Sequence, residues 1–240
     1  MEALPLEPSQ FGIPFQEVWA VSASRRMPRL LQLYQDYLVD QNTARFAQQV
    51  GRIYTVGTLE RLTCWPVVQV RRAAVLALGL LGDYSSNASL GRALNDPDAA
   101  VRLAAENGIR SLWCRFGSQG QRQLLQIIIQ LNSNGQFKEA IRCASVLIEE
   151  VPQFAEAWNQ RAIACYSLGL YRQAIADCRQ ALELNPYHFG AAAGMGQCYV
   201  QLGQYHQALE CFRWALRLNP NLEGVRANME HLQRSLGEKP

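Results

Sequence analysis

Seven cysteines and three histidines are the residues of this 240-residue chain with the most chemistry to offer. The cysteines (Cys64, Cys114, Cys143, Cys165, Cys178, Cys198 and Cys211) are odd in number and contain no Cys-x-x-Cys pair. Most stand at small, buried-looking positions, as free thiols do in a reducing compartment. His188, His206 and His231 follow one another at spacings of 18 and 25 residues, which builds no metal-binding face. Glu149 and Glu150 end a helical stretch and read as a solvated face, not as an acid and a base that converge. Gly194-Met195-Gly196 lies inside a helical pattern, where it allows close helix contact and does not open a phosphate loop; Gly-x-Ser-x-Gly and P-loop patterns are missing. Twenty-one of the 23 cations are arginine, leaving only Lys138 and Lys239, so a dedicated phosphate or Schiff-base lysine is not expected. These residues predict a protein that is not an enzyme and needs no metal or cofactor.

The function must then lie in the elements that carry such side chains. Apolar residues make up 49% and charged residues 18% of the chain, below the roughly 25% charge of an average soluble protein, so much of the surface is neutral or covered. The net charge of +3 divides almost evenly, with 12 basic and 10 acidic residues in 1–120 and 11 and 10 in 121–240. Neither half is built to attract nucleic acid. Arg25, Arg26 and Arg29 form the one local basic cluster, at a loop and a helix start. The beginning, MEALPLEPSQFGIPF, has acids and prolines where a secretory signal needs basic residues and an apolar run. No uncharged apolar stretch is long enough to span a membrane, and a cytoplasmic location is expected.

Residues 121–240 repeat with an offset of 34, which aligns Gly135, Gly169 and Gly203; Phe137, Tyr171 and Tyr205; Ala140, Ala174 and Ala208; and Pro152, Pro186 and Pro220. Each unit reads as two amphipathic helices, the first ending at a turn before the glycine, the second starting at the alanine column and ending before the proline. Glycine accommodates a positive φ in the interhelical turn, alanine lies where the helices cross, and proline cannot continue the second helix.

This pattern resembles the tetratricopeptide repeat. Unit two, 155–188, has Trp158, Gly169, Tyr171, Ala174, Ala181 and Pro186 in place. Unit three, 189–222, keeps Gly196, Tyr199, Gly203, Tyr205, Ala208, Phe212, Ala215 and Pro220, with Ala192 at the tryptophan position. Unit one, 121–154, has Leu124 and Ile128 where tryptophan and glycine are expected. Residues 223–236 read as the polar-faced helix that caps an open array.

Residues 40–113 show a second period, 31, pairing Val70-Arg71 with Val101-Arg102, Ala73-Ala74 with Ala104-Ala105, Leu78 with Ile109, and Leu81 with Leu112. They resemble HEAT repeats of the short kind found in bilin-lyase-type proteins, with a generic α-hairpin array as the alternative. Asp96-Pro97-Asp98 reads as a turn that starts a helix with an acid at its positive end. The resulting organisation is all-α: an α-solenoid of helical hairpins, with a non-repetitive strap at 1–27, HEAT-like repeats at 28–117, and three tetratricopeptide units plus a capping helix at 121–236.

The resemblance implies a concave groove lined by the first helix of each unit, at Arg122, Leu125, Ile129, Asn132 and Ser133; Glu156, Asn159, Ile163, Tyr166 and Ser167; and Gly190, Ala193, Gln197, Val200 and Gln201. Members of the family that clamp a C-terminal carboxylate use lysine, asparagine and arginine at positions held here by Leu125, Ile129, Gly190 and Gly194. Without those donors the clamp is not expected. The groove instead suits a protein or peptide partner presented as an amphipathic helix or an extended apolar segment, unless the chain's own residues 1–27 fill it. The expected function is that of a non-catalytic adapter or assembly chaperone. The alternative is a tetrapyrrole chaperone of the bilin-lyase kind, for which Cys64 beside Trp65 and Arg61 is the candidate site.

Overall fold

The computed structural model describes residues 28–237, and the strap reading of 1–27 lies outside them. Among the described residues the structure has thirteen α-helices, one short 3-10 turn at Tyr84–Ser86, and no strand. The first half comprises α1 (Leu30–Asp40), α2 (Thr43–Ile53), α3 (Val56–Leu62), α4 (Val68–Leu81), α5 (Asn87–Ala93) and α6 (Ala99–Trp113). The second comprises α7 (Gln119–Ser133), α8 (Phe137–Glu150), α9 (Ala155–Ser167), α10 (Tyr171–Leu184), α11 (Phe189–Gln201), α12 (Tyr205–Leu218) and α13 (Glu223–Ser235). No described helix is long and apolar enough to cross a membrane.

In the second half each unit closes through the same turn. The amides of Gln136, Leu170 and Gln204 donate to the carbonyls of Leu131, Cys165 and Tyr199, and the glycines at 135, 169 and 203 take φ of 73°, 77° and 71°. This is the helix-ending bond pattern that wants a left-handed residue, where a Cβ is strained. The second helix of each unit starts at the aromatic column, Phe137, Tyr171 or Tyr205, and not at the alanine column three residues later. The turn is finished as soon as its glycine has reversed the chain, so nothing delays the helix. The alanines at 140, 174 and 208 are fully buried at the crossing.

In the first half, α3–α4 and α5–α6 form two hairpins whose long helices cross at Gly79 and Gly108. A Cβ on either would sit 2.8–2.9 Å from the opposing Cα, so only glycine permits this approach. Arg71 donates to the carbonyls of Trp65 and Pro66, and Arg102, one period later, donates to those of Asp96 and Pro97. Arg71 also makes a two-pronged ion pair with Asp96 of the following turn. The matching reach of Arg102 ends instead on Asn221 Oδ1 at 3.0 Å. A loop of the second half therefore sits where the next hairpin turn would stand.

The two arrays share a core. Phe189 is fully buried in the apolar cluster of the first half, and Tyr187, Leu218 and Leu222 pack against it. Asn87 Nδ2 donates to Asn185 Oδ1 at 2.8 Å, while Asn87 Oδ1 accepts from the Trp113 indole at 2.7 Å. The connection at 114–118 is anchored by Phe116, wedged between Tyr84 and Phe154 with ring centroids 5.1 and 5.4 Å away. Because the loops at 185–189 and 218–222 seat on α5 and α6, the last turns of α6 run beside the first helices of the repeats.

Candidate functional site

That arrangement encloses a cavity of about 390 Å³, within the roughly 300–1,000 Å³ of pockets that hold ligands. Its walls come from α6 (Arg110, Trp113, with Cys114 just beyond), α7 (Ile129), α9 (Glu156, Asn159, Gln160, Ala162, Ile163, Tyr166), α10 (Cys178) and α11 with its N-cap (His188, Gly190, Gly194, Gln197, Cys198). The repeats supply one concave side and the hairpin array the other.

The polar end of the cavity is built around Glu156, a buried carboxylate. Its Oε1 accepts from Asn159 Nδ2 at 3.1 Å and Gln160 Nε2 at 2.7 Å, and its Oε2 lies 2.9 Å from His188 Nε2. His188 is 1% exposed and caps α11, its Nδ1 accepting from the Ala191 amide at 3.1 Å. That cap fixes the tautomer: a ring nitrogen that accepts an amide hydrogen carries no proton, so the imidazole is neutral and donates from Nε2 to Glu156. Burial opposes the charge on Glu156, while the hydrogen bonds from His188, Gln160 and Asn159 favour it. With both imidazole nitrogens committed, His188 has no free lone pair with which to act as a general base.

The α6 wall is equally committed. Trp113 stacks on His188 and is tilted against Phe189 at 5.1 Å. Arg110 lies 4.6 Å over the Phe189 ring and pairs with Glu106 at 3.1 Å. Burial pushes the Cys114 thiol up to about 12, with the Glu156 charge adding to it, so it is no nucleophile at neutral pH.

Of the groove residues expected from the sequence, Ile129, Glu156, Asn159, Ile163, Tyr166, Gly190 and Gln197 line the cavity. Glu156 and Asn159 do so as members of one internal network, so the Asn159 amide nitrogen is already bonded and not free for a partner. Leu125 is not groove surface: it is fully buried in the unit-one core with Ile128 and Ala140, because α7 turns its apolar stripe toward α8. Asn132 is likewise withdrawn, donating to the Gln160 carbonyl and side chain at 3.0 Å. Arg122, Ser133, Ser167 and Gln201 are exposed, and Ala193 and Val200 are half-buried outside the cavity lining. Cys64 is exposed at the turn after α3, and neither it nor Trp65 nor Arg61 lines the cavity. Sequence reasoning missed the α6 wall altogether, since nothing local links Trp113 to a helix 32 residues past Glu156. It also dismissed His188, whose partner lies 32 positions upstream, far outside the window of a helical motif.

The tetratricopeptide repeat family matches residues 155–188 and 191–222. A tetratricopeptide repeat-containing protein of Rhizobium etli is 34% identical over 100 residues, 42% of this chain and 48% of that protein, so the chain spans about half the length of that relative. Among solved structures, the first tetratricopeptide domain of Spaghetti (RPAP3) bound to an HSP90 peptide is similar at 23% identity and a TM-score of 0.49, over 51% of this chain and 97% of that one. The TPR2AB-domain:pHSP90 complex of yeast Sti1 is similar at 13% identity and a TM-score of 0.46, over 88% of this chain and 98% of that one. The two matched units make residues 155–222 a stretch of tetratricopeptide repeats, and the same glycine turn closes the unit before them.

Proposed function

We propose that this chain is a non-catalytic adapter that holds a segment of a partner protein, an amphipathic helix or an extended apolar peptide, in the groove between its repeats and α6, as an assembly chaperone does. The observation that carries the reading is the preformed, mostly apolar cavity on the concave side, walled by Ile129, Ala162, Ile163, Tyr166 and Cys198 and floored by a satisfied polar network. Burying apolar surface there contributes roughly 25 cal/mol per Å², less the cost of association, and a preformed pocket keeps that cost low. His188 is bonded to Glu156 and Arg110 is paired with Glu106, which favours binding over catalysis. All seven cysteines are unpaired, which supports a reducing, cytoplasmic setting. We retain the HEAT-like reading of 28–117 as a proposal for how the α6 wall is mounted. The tetrapyrrole alternative would need Cys64 to face an enclosed site, and its exposed turn offers none.

The test is selection of binders from a random peptide library on the immobilised full chain. Peptides that bind through the groove lose affinity for the Ile163→Asp and Tyr166→Ala variants and keep it for Leu103→Asp, an exposed position on the first half. Equal binding to all three variants would move the site elsewhere.

A further inference from the structure

The cavity carries a charge that nothing in it neutralises. Glu156 is its one carboxylate, and the groups that touch it, His188, Asn159 and Gln160, are neutral donors. Arg110, the one guanidinium in the lining, is engaged by Glu106 and by the Phe189 ring. Together Glu106, Arg110 and Glu156 leave a net charge of −1 at a site with apolar walls, where a counter-charge is felt more strongly than in water. A carboxylate offers about four acceptor sites, and Glu156 uses three, with Oε2 bonded only to His188. Its side chain is 8% exposed, and Glu156 is among the residues that line the cavity.

Building on the adapter reading, we propose that the groove selects a partner segment whose anchoring residue is lysine or arginine. The aliphatic stem of that residue lies along Ile129, Ile163 and Cys198, and its cationic head donates to Glu156. Long cationic side chains bury their stems against apolar surface in this way, and the pairing supplies the counter-charge that the site lacks. The polarity is opposite to that of a carboxylate clamp: a C-terminal carboxylate in this cavity would meet Glu156 with no cation free to hold it.

The test uses peptides selected from the random library on the full chain. The expected result is enrichment of lysine or arginine beside apolar residues, with replacement of that cation by glutamine weakening binding to the wild-type chain by about tenfold or more. The same replacement should change binding to Glu156→Gln by less than about twofold. Since Glu156→Gln risks disturbing the fold, Gln197→Lys serves as a second variant: it places a cation on the half-buried cavity wall and should weaken cationic peptides about tenfold. Groove binders that show no dependence on their cation, or that gain affinity on Gln197→Lys, overturn the proposal and leave the adapter reading standing. Failure to select any peptide sensitive to Ile163→Asp overturns both.

Discussion

The indole of Trp113 lies flat on the imidazole of His188, with ring centroids 4.3 Å apart and planes 16° from parallel. One ring ends the last helix of the hairpin array and the other opens a helix of the repeats, so this stack is where the two periods of the chain meet. Its polar edges are tied as well, the indole nitrogen to Asn87 and the imidazole to Glu156 and the α11 amide. The stack therefore joins the α6 wall of the groove to its polar floor, while the Ala191 amide and Glu156 fix the histidine tautomer.

Replacing Trp113 by alanine tests that wall. The side chain is 3% exposed, and removing a buried tryptophan costs roughly 3–5 kcal/mol. Denaturant unfolding should show a loss of this size. Groove-directed peptides should also bind more weakly in conditions where the variant is still folded, because the cavity loses one side. A variant that unfolds like wild type would mean that the arrays do not depend on this contact.

Gly91 makes a complementary prediction about the junction. A Cβ there would fall 2.1 Å from Tyr187, so Gly91→Ala must push apart α5 and the loop that carries Asn185 and His188. Overpacking of this kind costs about 1–3 kcal/mol. Gly120→Ala, with nothing within 4 Å of the new Cβ, is the control and should be neutral or slightly stabilising. Thermal unfolding of the two variants side by side distinguishes them.

Acid should weaken the hairpin array in a defined window. Asp98 is held at about 2 by its hydrogen bonds from Arg72, well below its ordinary value of 3.8. Its folded form thus binds a proton less readily than the unfolded chain. The stabilisation is fully present above the unfolded value, and it is lost as pH falls from about 4 towards 2. Asp98→Asn should therefore melt lower than wild type at pH 7, with the gap narrowing across that range. Asp98 also accepts from the Val101 amide to cap α6, a bond that the asparagine oxygen can keep, so the pH-dependent part isolates the ion pair.

The thiols should separate by burial. Cys165, Cys198 and Cys211 are pushed up to about 11 and Cys114 to about 12, in each case chiefly by burial, which leaves little thiolate at pH 8. Cys64 is exposed. A thiol-specific disulfide reagent added to the native chain should react fastest at Cys64, and that fastest phase should disappear in Cys64→Ser. The core thiols should react only on unfolding.

Much of the fold was legible because its determinants are local. The glycines at 135, 169 and 203 announce a turn that only a residue without Cβ takes cheaply, the prolines stop each second helix, and Asp98 starts α6 from its own side chain. The start of the second helices at Phe137, Tyr171 and Tyr205 was misplaced by three residues, because the alanine column reports a crossing point and not a helix end. The face that α7 presents was misjudged for Leu125, since unit one has Leu124 where unit two has Trp158.

The sequence by itself determined that this is a chain of helical hairpins in two periods, because period, turn and cap are written within a few residues of one another. It also marked Ile129, Ile163, Tyr166 and Gln197 as groove-facing through their place in the repeat. Only the tertiary structure decided that α6 closes the groove, that Asn87 bridges Trp113 and Asn185, and that Glu156 meets His188. Those contacts join residues far apart in the chain, and they exist because packing Phe189, Leu218 and Leu222 onto the first half removes apolar surface from water, a driving force without direction that no spacing in the sequence encodes.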